Sequence, residues 1–386
     1  MMGRRIVVVG ASAAGLTAAD TLRREGHDGP IIVVGDETCP PYDRPPLSKQ
    51  ILAGTWQPEK ITLRDEAALR RSEITLRLGT TATGLDTGAR TVKLRDGETL
   101  GYDGLIIATG VAPRRLPIGV GMAGVHVMRT LDDALRLRDA ITESTRLVVI
   151  GAGFLGAEVA ASARTRGADV TVVDPLPVPM LRQFGERIGQ RVAQMHRAHG
   201  VGLRLNTAVT GLRGDDAVTG VELDDGSVLD ADVVLIAVGS TPNTGWLADS
   251  GLHVDDGVVC DSMCQASPDV YAAGDVARWF NPRFGLSMRV EHRMNATEQG
   301  MAAARNLLGQ EKAFDPIPYF WTDQFDVKIQ AYGHFPTDSE VAIVHGDLAE
   351  DKFVARYLTD GVITGVLGWN MPKQVRLERA CVGDKP

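Results

Sequence analysis

The feature that most restricts what this chain can fold into lies in residues 6–37. An apolar run, Ile6–Val9, passes without a spacer into Gly10-Ala11-Ser12-Ala13-Ala14-Gly15. A helical stretch from Leu16 to about Arg24 follows, and a second apolar run, Ile31–Val34, ends in Gly35-Asp36-Glu37. This is a strand, a glycine-rich turn, a helix and a second strand closed by acids. Gly10 allows the tight turn, small Ser12 lets the main chain approach a pyrophosphate, and Gly15 lets helix and strand pack closely. The helix N-terminus presents unpaired N–H groups and a partial positive charge to phosphate oxygens. Asp36, 21 residues past Gly15, is placed to accept hydrogen bonds from an adenosine ribose, with Glu37 beside it. Ser12 stands where glycine is commoner, so the flanking strands and the acid carry the pattern. A secretory signal is the competing reading, since Arg4-Arg5, an apolar stretch and Ala-Ser-Ala mimic one. Its continuation into a complete nucleotide-binding unit speaks against that.

The same grammar returns later in the chain. Leu147-Val148-Val149-Ile150 runs into Gly151-Ala152-Gly153-Phe154-Leu155-Gly156, then a helix expected over 157–166 and a strand ending in Asp174. All three glycines are present here. Chance duplication of the whole arrangement is improbable, so the chain is expected to hold two dinucleotides. Asp174 should bind a free ribose 2′-hydroxyl and repel a 2′-phosphate, which favours NADH over NADPH. Arg182 nearby tempers that preference.

A chain of 386 residues exceeds one compact core and predicts two or three domains. The net charge of −8 gives no indication of nucleic acid or an anionic membrane surface as partner. No apolar run approaches a membrane span. Four cysteines, Cys39, Cys260, Cys264 and Cys381, are too few and too scattered for a disulfide framework, so the cytoplasm is the expected compartment.

Four prolines stiffen the loop 40–46, which holds Arg44 and Lys49 at fixed positions. These two cations can face phosphate or a flavin edge, or be ordinary surface charges. Leu105-Ile106-Ile107-Ala108-Thr109-Gly110 reads as a buried strand ending in a turn of small residues. From Pro316 onward five alternating strands predict an antiparallel sheet. Cys260 and Cys264 read as incidental thiols, and no metal site is expected. His196 and His199 share one helix face in a polar stretch and are expected to be solvated. Trp321 and Gln324 either border a cofactor or belong to the core.

Several stretches together carry a resemblance: GASAAG (10–15), PYDRPPLSK (41–49), LIIATG (105–110), GAGFLGAE (151–158), VYAAGDVARW (270–279), VEHRMNATEQG (290–300) and YFWTDQFDVKIQAYG (319–333). The chain resembles the glutathione-reductase-type flavoproteins and, more narrowly, the FAD-dependent ferredoxin reductases that serve bacterial oxygenases. The resemblance implies an α/β fold with two Rossmann-like dinucleotide-binding domains, for FAD and NAD, plus a C-terminal α+β antiparallel-sheet domain. The expected boundaries are 1–112 and 240–316 for FAD, 113–239 for NAD and 317–386 for the C-terminal interface domain.

Residue by residue, the resemblance places Gly10, Ser12, Ala13, Ala14, Gly15, Asp36, Glu37, Arg44, Lys49, Ala82, Ala108, Thr109, Gly110 and Arg129 at FAD. Asp275, after Gly274, matches the carboxylate that accepts ribityl hydroxyls. Glu291, His292 and Arg293 match positions beside the flavin, though the family often has tryptophan where this chain has Arg293. Gly151, Gly153, Phe154, Leu155, Gly156, Asp174 and Gly239 fall to the NADH side, and Trp321 to the flavin. Lys49 and Glu158 are the candidate catalytic pair, implied to position flavin and nicotinamide. For Glu158 the plainer alternative is a first-turn glutamate complementing its helix dipole.

Related disulfide reductases relay electrons through a Cys-x4-Cys pair. Cys39 has no such partner here, so catalysis falls to the flavin, with orientation and electrostatics from the protein. The implied function is hydride uptake from NADH and single-electron delivery to an iron–sulfur ferredoxin, expected as a 2Fe-2S protein, by a monomer or weak dimer. A rubredoxin reductase, or a redox-sensing flavoprotein resembling apoptosis-inducing factor, are the rivals. Arg278, Arg283, Arg289, Arg293, Lys373 and Arg376 either form a basic docking patch or are scattered surface charges.

Overall fold

The apolar runs at the two glycine loops become the middles of two sheets, each parallel around that strand, because residues with no polar side chain survive burial on both faces. In the computed structural model, which describes residues 3–64, 67, 71–119 and 121–385, the chain forms two units. One comprises Met1–Asp43, Ile61–Ala112 and Thr241–Pro318; the other comprises Arg44–Lys60, Pro113–Ser240 and Tyr319–Pro386.

In the first unit, strand Ile6–Val9 is flanked by Ile31–Val34 on one side and Gly104–Ile107 on the other, all parallel. Ile74–Arg77 and Val270–Ala272 extend the sheet, and Gln265–Ser267 closes its edge. The first strand therefore lies where the strand order reverses, and a ligand-binding crevice opens beyond the carboxyl ends of strands at such a point. Helix Ala13–Arg24 buries Leu16, Ala18, Ala19 and Leu22. Helix Arg293–Leu307 packs on it so closely that a Cβ on Gly300 would lie 2.5 Å from the Ala14 carbonyl oxygen.

In the second unit, Arg146–Ile150 lies between the parallel strands Asp169–Asp174 and Val233–Ile236. The C-terminal sheet is antiparallel throughout, ordered Tyr319–Gln324, Val327–Gly333, Val362–Trp369, Lys352–Thr359 and Glu340–Asp347. Its buried face meets the helical segment Leu181–Ala198, which is broken at Gly185 (φ 74°), in one core containing Phe184, Ile188, Val192, Phe320, Phe353 and Trp369. Short helix Pro372–Glu378 ends the regular structure, with Val375 buried.

Two expectations are corrected. The helices after the glycine loops begin at Ala13 and Phe154, not at Leu16 and Ala157. Ser12 and Gly153 are extended, so helical geometry begins inside each loop. His196 is not solvated: it is 1% exposed and its Nε2 lies 2.8 Å from Gln324 Oε1. Of the six cations weighed either as a docking patch or as scattered surface charges, four carry acidic partners: Arg278 with Asp255, Arg283 with Asp315, Arg289 with Asp256 and Glu291, and Arg293 with Asp43.

Candidate active site

Both glycine loops are built on one geometric plan. Gly10 has φ 120° and Gly151 φ 108°, in the left-handed half that favours glycine. A Cβ on Gly10 would lie 2.0 Å from the Ala108 carbonyl oxygen, and on Gly151 2.4 Å from that of Ala237. The last glycines are as constrained, since a Cβ on Gly15 or Gly156 would approach the Gly10 or Gly151 oxygen to 1.8 Å or 2.0 Å. Neither Ser12 nor Gly153 gives its helix a side-chain cap, and neither helix has an acid in its first turn. Thr130, by contrast, closes helix Leu131–Ala140 with a full capping box. Two helix starts with uncapped N–H groups beneath a bare glycine turn suit a dinucleotide pyrophosphate at each.

Around the first loop, Asp36 is exposed just past its strand and Glu37 accepts the Tyr42 hydroxyl at 2.5 Å. Thr109 and Asn243 clasp each other: Thr109 Oγ1 donates to the Asn243 carbonyl and Asn243 Nδ2 to the Thr109 carbonyl, both at 2.9 Å. That fixes the Ala108-Thr109-Gly110 turn beside the loop. Gln299, fully buried, accepts from the Gly274 N–H at 2.9 Å and so sets the turn that carries half-buried Asp275. Helix Arg293–Leu307 also starts without a side-chain cap, at His292, whose imidazole is pushed down to about 4 by burial. Arg293 turns toward Asp43 and Thr297. Ala82 begins the strand Ala82–Asp86.

Around the second loop, Asp174 is 9% exposed and takes two main-chain N–H groups, from Ala152 at 2.7 Å and Leu176 at 2.8 Å. A carboxylate held so is fixed in place. Phe154 packs edge-on against Phe184 and Phe320, so its ring belongs to the aromatic core. Leu155 is half-buried, and Gly239 has open space where a Cβ would stand.

The structure brings Lys49 and Glu158 together. Residues Leu47–Ile51 form one π-helical turn, a local widening that recurs at functional sites. It places Lys49 Nζ and Ser48 Oγ at 3.0 Å and 2.5 Å from Glu158 Oε2. Thr322 Oγ1 donates to Glu158 Oε1 at 2.8 Å. Glu158 is 7% exposed, so its charge is balanced almost wholly by these partners. Because the helix begins at Phe154, Glu158 lies past the first turn, and the dipole alternative lapses. Arg44 donates to the Arg129 carbonyl at 2.7 Å, holding the stiff loop and Arg129 together. Trp321 is on the opposite face of its strand from Thr322, half-exposed and stacked near Tyr319.

Ser48 and Thr322 escape the sequence reading, which sets His196 in solvent. His196 carried a signal: it continues a stripe at spacing four through Ile188 and Val192. Cys260 and Cys264 are free and buried; burial pushes the Cys260 thiol up to about 12 and raises that of Cys264. Among the described residues no cluster of His, Cys, Asp and Glu could hold a metal ion.

Residues 4–300 match the pyridine nucleotide-disulphide oxidoreductase family and residues 319–385 match the reductase C-terminal family. The ferredoxin–NAD(+) reductase component of the anthranilate 1,2-dioxygenase system of Burkholderia cepacia is 37% identical, covering 97% of this chain and 93% of that protein. The rubredoxin–NAD(+) reductase of Pseudomonas putida is 33% identical, covering 96% of both. A crystal structure of a covalent putidaredoxin reductase–putidaredoxin complex superimposes with a TM-score of 0.96 at 33% identity, covering 100% of this chain and 94% of that one. The duplicated cradles and these likenesses agree: the chain belongs to the pyridine nucleotide-disulphide oxidoreductases, enzymes that use FAD and NAD(H), and carries a reductase C-terminal domain.

Proposed function

We propose that this protein takes hydride from NADH and passes electrons singly to a ferredoxin that feeds an oxygenase. The observation that carries the reading is the pair of glycine cradles, each with an uncapped helix start and each closed by an acid, Asp36 or Asp174. Bound FAD supplies the redox chemistry, accepting two electrons at once and releasing them one at a time. The first cradle, with Ala108-Thr109-Gly110, Gly274-Asp275 and the start of helix Arg293–Leu307, holds FAD. The second cradle with Asp174 holds NADH. Lys49 and Glu158 orient the nicotinamide, and neither needs to exchange a proton. In domain terms, 1–112 and 240–316 serve FAD, 113–239 serves NADH and 317–386 serves the protein partner.

The names of the relatives support a small iron–sulfur acceptor, and we assign a 2Fe-2S ferredoxin, a monomeric or weakly dimeric reductase and a cytoplasmic site. Among the described residues no helix is long and apolar enough to cross a membrane. The test is NADH-driven reduction of cytochrome c with and without a 2Fe-2S ferredoxin, and with rubredoxin in a parallel arm. Ferredoxin should accelerate turnover at least about tenfold over either control. A flavin that NADH reduces but that no iron–sulfur protein reoxidises faster would favour a redox-sensing role instead.

A further inference from the structure

We propose that Thr322, Gln324 and His196 are positioning residues that aim one hydrogen-bond donor at the Glu158 carboxylate, and through it fix Lys49. The assignment rests on the role given above to the Lys49–Glu158 pair. Its basis is a chain of side-chain hydrogen bonds, all among buried groups. His196 Nε2 lies 2.8 Å from Gln324 Oε1, Gln324 Nε2 donates to Thr322 Oγ1 at 3.1 Å, and Thr322 Oγ1 donates to Glu158 Oε1 at 2.8 Å. Thr322 is 0%, Gln324 1% and His196 1% exposed.

Direction is the point. A hydroxyl has one proton, and Thr322 can spend it on Glu158 only while Gln324 turns its NH2 end toward the hydroxyl oxygen. Gln324 keeps that orientation while His196 presents an N–H to its carbonyl end. Burial lowers the His196 pKa from its ordinary value, so the ring is neutral near pH 7 and holds one proton. Its Nδ1 is buried without a hydrogen-bond partner, so the proton is better placed on Nε2, facing Gln324. With the other tautomer the amide would reverse, Thr322 would give its proton to Gln324, and Glu158 Oε1 would lose its donor. Oε2 already takes both Ser48 and Lys49, so the loss would unbalance the carboxylate and shift the ammonium. Among the described residues, the titratable groups in and beside this hydrogen-bonded chain include Lys49, Glu158, His196, His199 and Asp326, which lies 3.5 Å from His199.

The test compares Thr322→Val, Thr322→Ser, Gln324→Glu and His196→Gln in the FAD-loaded protein. T322V removes the donor, T322S keeps it, Q324E turns the Thr322 proton away from Glu158, and H196Q keeps an N–H at the Nε2 position. Two readouts are taken: the rate constant for flavin reduction at saturating NADH, and the infrared carboxylate band of Glu158 without NADH, assigned by its loss in E158Q. T322V and Q324E should each lower the rate constant about tenfold and move the band, with the dissociation constant for NADH within about twofold of the parent. T322S and H196Q should restore both readouts. Nitrogen NMR of the parent should show His196 protonated at Nε2 alone. If Q324E does not fold, T322V against T322S decides the same point. An unmoved band in T322V, a T322S enzyme as slow as T322V, or a His196 proton on Nδ1 would overturn the assignment. Should E158Q itself reduce flavin at the parent rate, the role of the ion pair fails; a band that still moves in T322V then leaves the donor chain as structure only.

Discussion

Asp174 shows how much one side chain settles once its neighbours are known. Its two oxygens hold the Ala152 and Leu176 N–H groups, so the charge is pinned at the end of strand Asp169–Asp174. A 2′-phosphate brought to that position would face a fixed like charge, whereas a 2′-hydroxyl would find an acceptor. D174N keeps the size and one acceptor but removes the charge. The ratio of kcat/KM for NADH over NADPH should fall about tenfold, and using a ratio cancels any general loosening of the loop. An unchanged ratio would show that discrimination lies elsewhere. The acid and its spacing were legible in the sequence, because the pattern is local. The partners of Glu158 were not: Ser48 is 110 and Thr322 164 positions away, and no spacing rule reaches that far.

At the scale of elements, the two glycine-loop units were legible almost whole, since each strand, turn and helix is specified by its own neighbours. The helix starts were misjudged because glycine and alanine in a turn read as loop, while the extended Ser12 and Gly153 already begin a helix. Helix Leu181–Ala198 was misjudged for another reason. Its charged residues are many, and only the stripe Ile188, Val192 and His196, after the break at Gly185, marks the face that the C-terminal sheet covers. The paired plan of the loops gives a prediction that separates them. G15A would drive a Cβ into the Gly10 oxygen and G156A one into the Gly151 oxygen, with backbone on both sides and little room to yield. G15A protein should purify with most of its flavin absorbance gone. G156A protein should keep its flavin and lose NADH affinity at least about tenfold, read by titrating flavin reduction. Equal flavin loss in both variants would mean that the loops do not serve separate nucleotides.

For the whole molecule, acid should be felt first through histidine. His27, His126, His196, His292 and His334 all have pKa values lowered from 6.5, with burial the first cause in each. The unfolded chain therefore binds more protons than the folded one as pH falls below about 6.5, and stability drops along with pH. The contribution is complete above that value and continues to drain down toward about 4, where His292 itself charges. Carboxylates with lowered pKa, such as Asp133, Asp232 and Glu378, act in the same direction but from about pH 4 downward, so they do not explain losses between pH 7 and 5. The first thermal transition of the FAD-loaded protein should fall by roughly 5–10 °C between pH 7 and pH 5. Replacing His126 and His334 together by glutamine, which removes two of the groups that must charge, should make that fall shallower while leaving flavin content unchanged. A transition that holds its temperature from pH 7 to 5, or a double variant as acid-sensitive as its parent, would place the acid weakness in the carboxylates instead.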